Sequence, residues 1–216
     1  MTLEDLITIM IYIHAFAGAI ALLAGSVAIV SRKGGTVHTK AGRVFYHSMV
    51  VLALLALVIS WMPGHINNFL FVIGVFSLYL VISGKAAIRY KKIEQRSELR
   101  VDKLVSGAMF FFAIVMLVMA IHQQLNGNSF GIVLAIFGAL GLVRSIQDFL
   151  AFRNIQKLRK DWLRHHIGKI TGGFIAAVTA FFVVNEVLPS LLGWLLPTLL
   201  GTSYILYWTR KISKRK

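Results

Sequence analysis

The chain has 216 residues, 57% of them hydrophobic and only 14% charged, with a formal net charge of +15. A soluble domain carries about 25% charged residues, so this composition excludes an ordinary soluble fold and points to a membrane-embedded one. There is no cysteine, which excludes disulfides, thiolate-ligated haem, iron–sulfur clusters and cysteine zinc sites.

Apolar runs long enough to cross a bilayer occur at residues 6–30, 44–62, 69–89, 104–125, 130–150, 167–188 and 194–209. They predict an all-α fold: a polytopic transmembrane helical bundle of seven spans, forming a single domain over residues 1–216. The first run follows the acidic opening "MTLEDL". A cleavable secretory signal opens with basic residues, so the first helix is expected to be retained. The second run follows the basic, glycine-containing "SRKGGTVHTKAGR", and the third is preceded by the uncharged "MPGHINN". "RYKKIEQRSELRVDK" leads into the fourth run and "QQLNGNS" into the fifth. Before the sixth, Phe152, Ile155, Leu158 and Trp162 recur at helical spacing among Arg and Lys. That pattern predicts an amphipathic anchor at the membrane surface, or an extension of the fifth helix. The seventh run is short and carries Pro197.

All 23 Lys and Arg residues fall on one side of this seven-span arrangement. The positive-inside rule makes that side cytoplasmic, placing the N-terminus outside and the C-terminus inside. The expected location is therefore a cell membrane, crossed several times. The charge orients the protein and faces anionic lipid; it requires no nucleic acid. "HTKAGRV" and "HHIGKI", at the entrances of the second and sixth spans, echo one another and raise a parallel internal repeat.

The seven histidines form two layers. At roughly 1.5 Å per residue, His14 lies about 27 Å and His122 about 28 Å from the basic boundary, and His65 occupies a loop at that same outer level. His38, His47, His165 and His166 lie near the inner face. An ionisable group among apolar neighbours should face the bundle and have a partner. Imidazole is also the commonest metal ligand and an axial ligand of haem. The expected outer site brings His14 to His122. The expected inner site brings His166, in preference to His165, to His47 or His38. The cofactor is haem b or a metal ion such as zinc, with metal-ligand candidates His14, His122, His38, His47 and His166. Small residues follow the histidines along one helix face: Gly18, Ala21 and Gly25 after His14, and Gly173, Ala177 and Ala180 after His166. They leave room for a flat ligand, and equally allow helices to approach closely. Arg144, Gln147 and Asp148 can share a face of the fifth span. There Arg144 and Asp148 form an ion pair, or Arg144, with Arg164 and Lys169, meets the propionates of a haem. Asn185 and Glu186 end the sixth span, where they can bond outer histidine rings or face water.

"HAFAGAIALLAGSVAI", "KGGTVHTKAGRVFYHSM" and "WLRHHIGKITGGFIAAVTAFFVVN" resemble a family of small bacterial polytopic membrane proteins of unassigned function. The resemblance covers spans one, two and six and marks His14, Gly18, His38, Gly42, His166, Thr179 and Asn185. It departs from the family at His38-Thr39, where His-Arg is usual. Three functions follow as expectations. The first is a redox or electron-transfer protein holding haem or metal between the histidine layers. The second is a proton-coupled transporter or channel using intramembrane histidines with Arg144 and Asp148. The third is a scaffold with a basic cytoplasmic face. No enzymatic reaction, redox partner or solute is specified by these residues, and self-association into a homo-oligomer is left open.

Overall fold

The computed structural model describes residues 2–214; Arg215 and Lys216 of the basic tail lie outside the described residues. Seven long α-helices carry the fold: α1 (Leu3–Val30), α2 (Thr36–Ile59), α3 (Asn68–Ala86), α4 (Arg100–Leu125), α5 (Phe130–Phe152), α6 (Ile155–Val184) and α7 (Ser190–Ser213). Each belongs to a segment long and apolar enough to cross a membrane. The protein is thus an all-α chain with seven candidate spans. Two short 3-10 turns, Ala87–Lys92 and Arg96–Leu99, lead from α3 into α4.

Local chemistry sets the helix ends. Thr2 caps α1: its hydroxyl accepts from the Asp5 amide at 3.2 Å, and the Asp5 carboxylate accepts from the Thr2 amide at 2.7 Å. Glu4 and Asp5 in the first turn suit the positive end of the helix dipole. The other end of α1 is closed by Lys33, whose ammonium donates to the Ala28, Ile29 and Ser31 carbonyls. Burial holds the Lys33 pKa below the usual lysine value. Gly34 adopts φ +77°, a left-handed turn open to glycine at no steric cost, and α2 begins two residues later.

Two boundaries differ from the sequence reading. Helix α2 begins at Thr36 rather than near residue 44, because hydropathy registers the apolar part of a helix and misses its polar overhang. Of the amphipathic stretch, Phe152 ends α5, and Ile155, Leu158 and Trp162 belong to α6. Asn154 breaks the chain there and caps the new helix, accepting from the Lys157 amide at 2.9 Å. Nor is that stretch only a lipid-facing anchor. Leu158 is 1% exposed, in a cluster with Ala87, Tyr90, Ile93, Leu99 and Phe152, and Trp162 packs against the same cluster.

The chain divides into two compact units, one of Met1–Val81 with Ile167–Lys216, the other of Ile82–His166. In the first, α1 packs along α2. Small residues face inward and large ones outward: Ala21 is fully buried, whereas Phe16 is 69% and Leu23 71% exposed. This suits a lipid solvent. Burying large side chains against another helix gains little when lipid is equally apolar, whereas small residues bring backbones close. Ala21, Phe45, Met49 and Val81 form the core of this unit, with Ile170, Phe174 and Ala177 of α6 packed on it. Helix α7 carries Pro197, which has no N–H to give the Gly193 carbonyl. At its basic end Lys33 lies over the Tyr204 and Trp208 rings, 5.6 and 5.5 Å from their centroids, and the Tyr204 hydroxyl donates to Ile29 at 3.5 Å. In the second unit, α4 packs along α5. Its contact face on α4 is Asp102, Ser106, Met109, Ala113, Met116 and Ala120, all buried.

Candidate functional site

Three histidines share one orientation. His14 Nδ1 lies 3.0 Å from the Leu52 carbonyl, His38 Nδ1 2.9 Å from Ala28, and His166 Nδ1 2.8 Å from Gly84. A carbonyl only accepts, so each Nδ1 carries a proton and donates. The neutral ring then holds its lone pair on Nε2, the tautomer that second-shell bonds impose on metal-ligating histidines. The three differ in the carbonyl they meet. Ala28 stands in the last turn of α1, where carbonyls lack a partner within the helix, so His38 helps to close that end; Gly84 stands near the end of α3, which runs on into the 3-10 turn Ala87–Lys92. Leu52 lies inside α2, and His14 adds a second bond to a carbonyl already within the helical ladder.

The remaining histidines are placed otherwise. His122 is exposed at the end of α4, with the Asn126 amide 3.4 Å from each ring nitrogen. His47 is exposed, edge-on to its neighbour Tyr46 at 5.1 Å. His65 Nε2 is 3.4 Å from Glu4. His165 is half-buried and edge-on to Tyr90, with ring centroids 6.2 Å apart. Among the described residues, no group of three or more His, Asp or Glu side chains gathers as a metal cage would require.

The small-residue faces are occupied. A Cβ built on Gly18 would lie 3.0 Å from Leu52, and one on Gly25 would collide with Phe174 and touch Phe45 at 3.0 Å. On α6, a Cβ on Gly173 would lie 2.8 Å from Val81. These glycines are helix-packing seams filled by neighbouring side chains. A porphyrin has no slot along them, so the seams beside His14 and in the α6 run from Gly173 do not fit haem.

A different polar cluster lies in the unit of Ile82–His166. Asp102 of α4 and Asp148 of α5 are 5% and 2% exposed. Asp102 pairs with the Arg89 guanidinium and accepts from the Tyr90 hydroxyl at 2.8 Å. One helical turn further along α4, the Ser106 hydroxyl donates to Asp148 at 2.8 Å. The expected Arg144–Asp148 pair is therefore replaced. Arg144 is exposed and donates to Gln147 at 3.2 Å, while Asp148 turns inward to α4. Sequence reading missed Asp102, Ser106 and Tyr90. The signal available was the spacing of Asp102, Ser106, Met109, Ala113 and Met116, a single helix face whose polar members must be buried with its apolar ones.

In the other unit, Lys169 is buried, with its ammonium 4.9 Å from the Tyr79 ring centroid. Thr179 is 5% exposed, and among the described residues its hydroxyl has no hydrogen-bond partner. Asn185 is exposed and donates to the Phe181 carbonyl at 2.8 Å. Glu186 adopts φ +50° as α6 ends. Compared with family models, with curated proteins and with solved structures, the chain finds no match.

Proposed function

We propose that this multi-pass membrane protein handles protons, as a proton-coupled transporter or a channel, with Asp102 and Asp148 as the groups that take up and release them. The observation that carries this reading is the burial of two carboxylates on neighbouring spans, joined to hydroxyls of Tyr90 and Ser106. Ionisable groups within spans are costly, and mark ion and proton routes. Asp102 and Ser106 lie one turn apart on α4. Ser106 reaches Asp148 and Tyr90 reaches Asp102, so hydroxyls that can both donate and accept stand beside both acids. The basic side is read as cytoplasmic, which puts this cluster near the inner face.

The test is proton flux into liposomes containing purified protein and a pH-sensitive dye, driven by an imposed potential. The wild type should acidify the lumen faster than empty liposomes. Asp148→Asn should lower that rate at least tenfold while Arg144→Gln leaves it unchanged. Wild-type flux equal to that of empty liposomes overturns the proposal, as does equal flux from Asp148→Asn protein that runs as a monodisperse peak.

A second reading is ligation of haem or a metal ion by histidine. It is favoured by the shared Nδ1–H to carbonyl orientation of His14, His38 and His166, three positions that the family resemblance also marks. The filled seams weigh against haem. Purified protein with a Soret band that His166→Ala abolishes and His165→Ala keeps would support it; a colourless, metal-free preparation would end it.

A further inference from the structure

At the basic end of the unit of Ile82–His166, a cleft of about 320 Å³ is lined by Arg96, Lys103, Phe149, Phe152 and Arg153. That volume lies within the roughly 300–1,000 Å³ range of small-ligand sites. Three of its five walls are cations and none is acidic. Among the described residues, Arg96, Lys103 and Arg153 take part in no ion pair. A second cleft in the same unit differs. It contains Arg89, which is paired with Asp102, and the acid Glu98.

The cationic cleft is built rather than incidental. The Arg96 guanidinium donates to the Arg153 carbonyl, tying the 3-10 turn Arg96–Leu99 to the end of α5. A Gln95–Glu98 capping box fixes the start of that turn. Phe152 is 4% exposed and stacks edge-on against Phe149 and Tyr90, at 6.4 and 6.3 Å, so the aromatic floor is held by the core. Like charges converging without a counter-ion repel one another, and a bound anion removes that cost.

The geometry points to a binding site for one phosphate-bearing anionic lipid headgroup. The cations take the phosphate, and the Phe149 and Phe152 rings meet its apolar portion. A lipid is favoured over free phosphate because the cleft borders the apolar belt. Leu104 and Leu150, next in sequence to Lys103 and Phe149, are 72% and 54% exposed. The inference is independent of the proton-handling reading.

The experiment is native mass spectrometry of the full chain in a neutral detergent, titrated with short-chain phosphatidylglycerol, phosphatidylcholine or inorganic phosphate. The wild type should retain one equivalent of phosphatidylglycerol at concentrations where phosphatidylcholine does not bind. Lys103→Gln with Arg153→Gln should weaken that equivalent by about tenfold or more, since each basic residue near a membrane surface contributes measurably to anionic-lipid binding. These changes leave the Arg96 bond to the Arg153 backbone intact. Lys157→Gln with Arg159→Gln removes two exposed cations of α6 outside the cleft, and should leave the first equivalent in place. Equal weakening by both pairs overturns a discrete site in favour of general surface attraction. Equal retention of phosphatidylcholine overturns headgroup selection. Tight retention of inorganic phosphate that excludes phosphatidylglycerol overturns the lipid assignment.

Discussion

Replacing Ser106 by Ala removes one oxygen from a buried contact and changes little else. Ser106 is 1% exposed and Asp148 2%, so water cannot replace the lost donor. The 2.8 Å separation is at the usual length for a hydroxyl donating to oxygen. A hydrogen bond to a charged group contributes about 1.5–3 kcal/mol. Side-chain bonds between membrane helices average about 0.6 kcal/mol, with a maximum near 1.7. A bond this deeply buried between two helices should lie at the upper end of the membrane range, about 1–2 kcal/mol. The assay is reversible unfolding in mixed micelles of the wild type, Ser106→Ala, Asp148→Ala and the double variant. The cycle isolates the Ser106–Asp148 coupling from the other contacts that Asp148 makes. A coupling below about 0.5 kcal/mol would refute the reasoning, because the bond would then be worth less than the average between membrane helices.

The glycines supply a second prediction. A Cβ on Gly42 or Gly168 meets nothing within 4 Å, so Ala at either position should stabilise its helix by about 0.5–1 kcal/mol. Gly131→Ala should destabilise by about 1–3 kcal/mol, since its Cβ would lie 2.8 Å from the Ala120 carbonyl oxygen. Unfolding midpoints check all three. Topology is open to direct test, because the chain has no cysteine of its own. A single cysteine at Asn126 should react with an impermeant thiol reagent in intact cells, and one at Ser97 only after permeabilisation. Labelling of both from the same side would remove α4 as a span.

The seven helices were legible because each carries a run of apolar residues that no soluble helix needs. Their ends were less so. The overhang of α2 from Thr36 and of α6 from Ile155 is polar, and polar helix reads like loop until Gly34 or Asn154 is seen to break the chain. The histidines were found by residue type and depth, but a ring's direction depends on which carbonyl lies opposite. Nothing in the sequence pairs His14 with Leu52 or His166 with Gly84. The small-residue faces were legible as close approaches, and their occupants were not: Phe45 and Phe174 reach Gly25 from other helices. Asp148 was noticed beside Arg144 because the two are close in sequence. Its partner Ser106 comes from α4, and a side chain that crosses between spans leaves no local trace.

The contact between Lys33 and α7 bears on how the protein is made. Of the seven candidate spans, α7 has the lowest mean hydropathy, and Pro197 inside it has no N–H to donate to the helix. Such a segment partitions weakly into lipid on its own. Its tether is the loop after α1, where Lys33 meets Tyr204 and Trp208 and where Tyr204 reaches Ile29. The contacts at the end of α1 are therefore completed only once α7 has been synthesised, after the five helices between them. Until then the Ala28 and Ile29 carbonyls at the end of α1 have local donors in Ser31, Lys33 and His38.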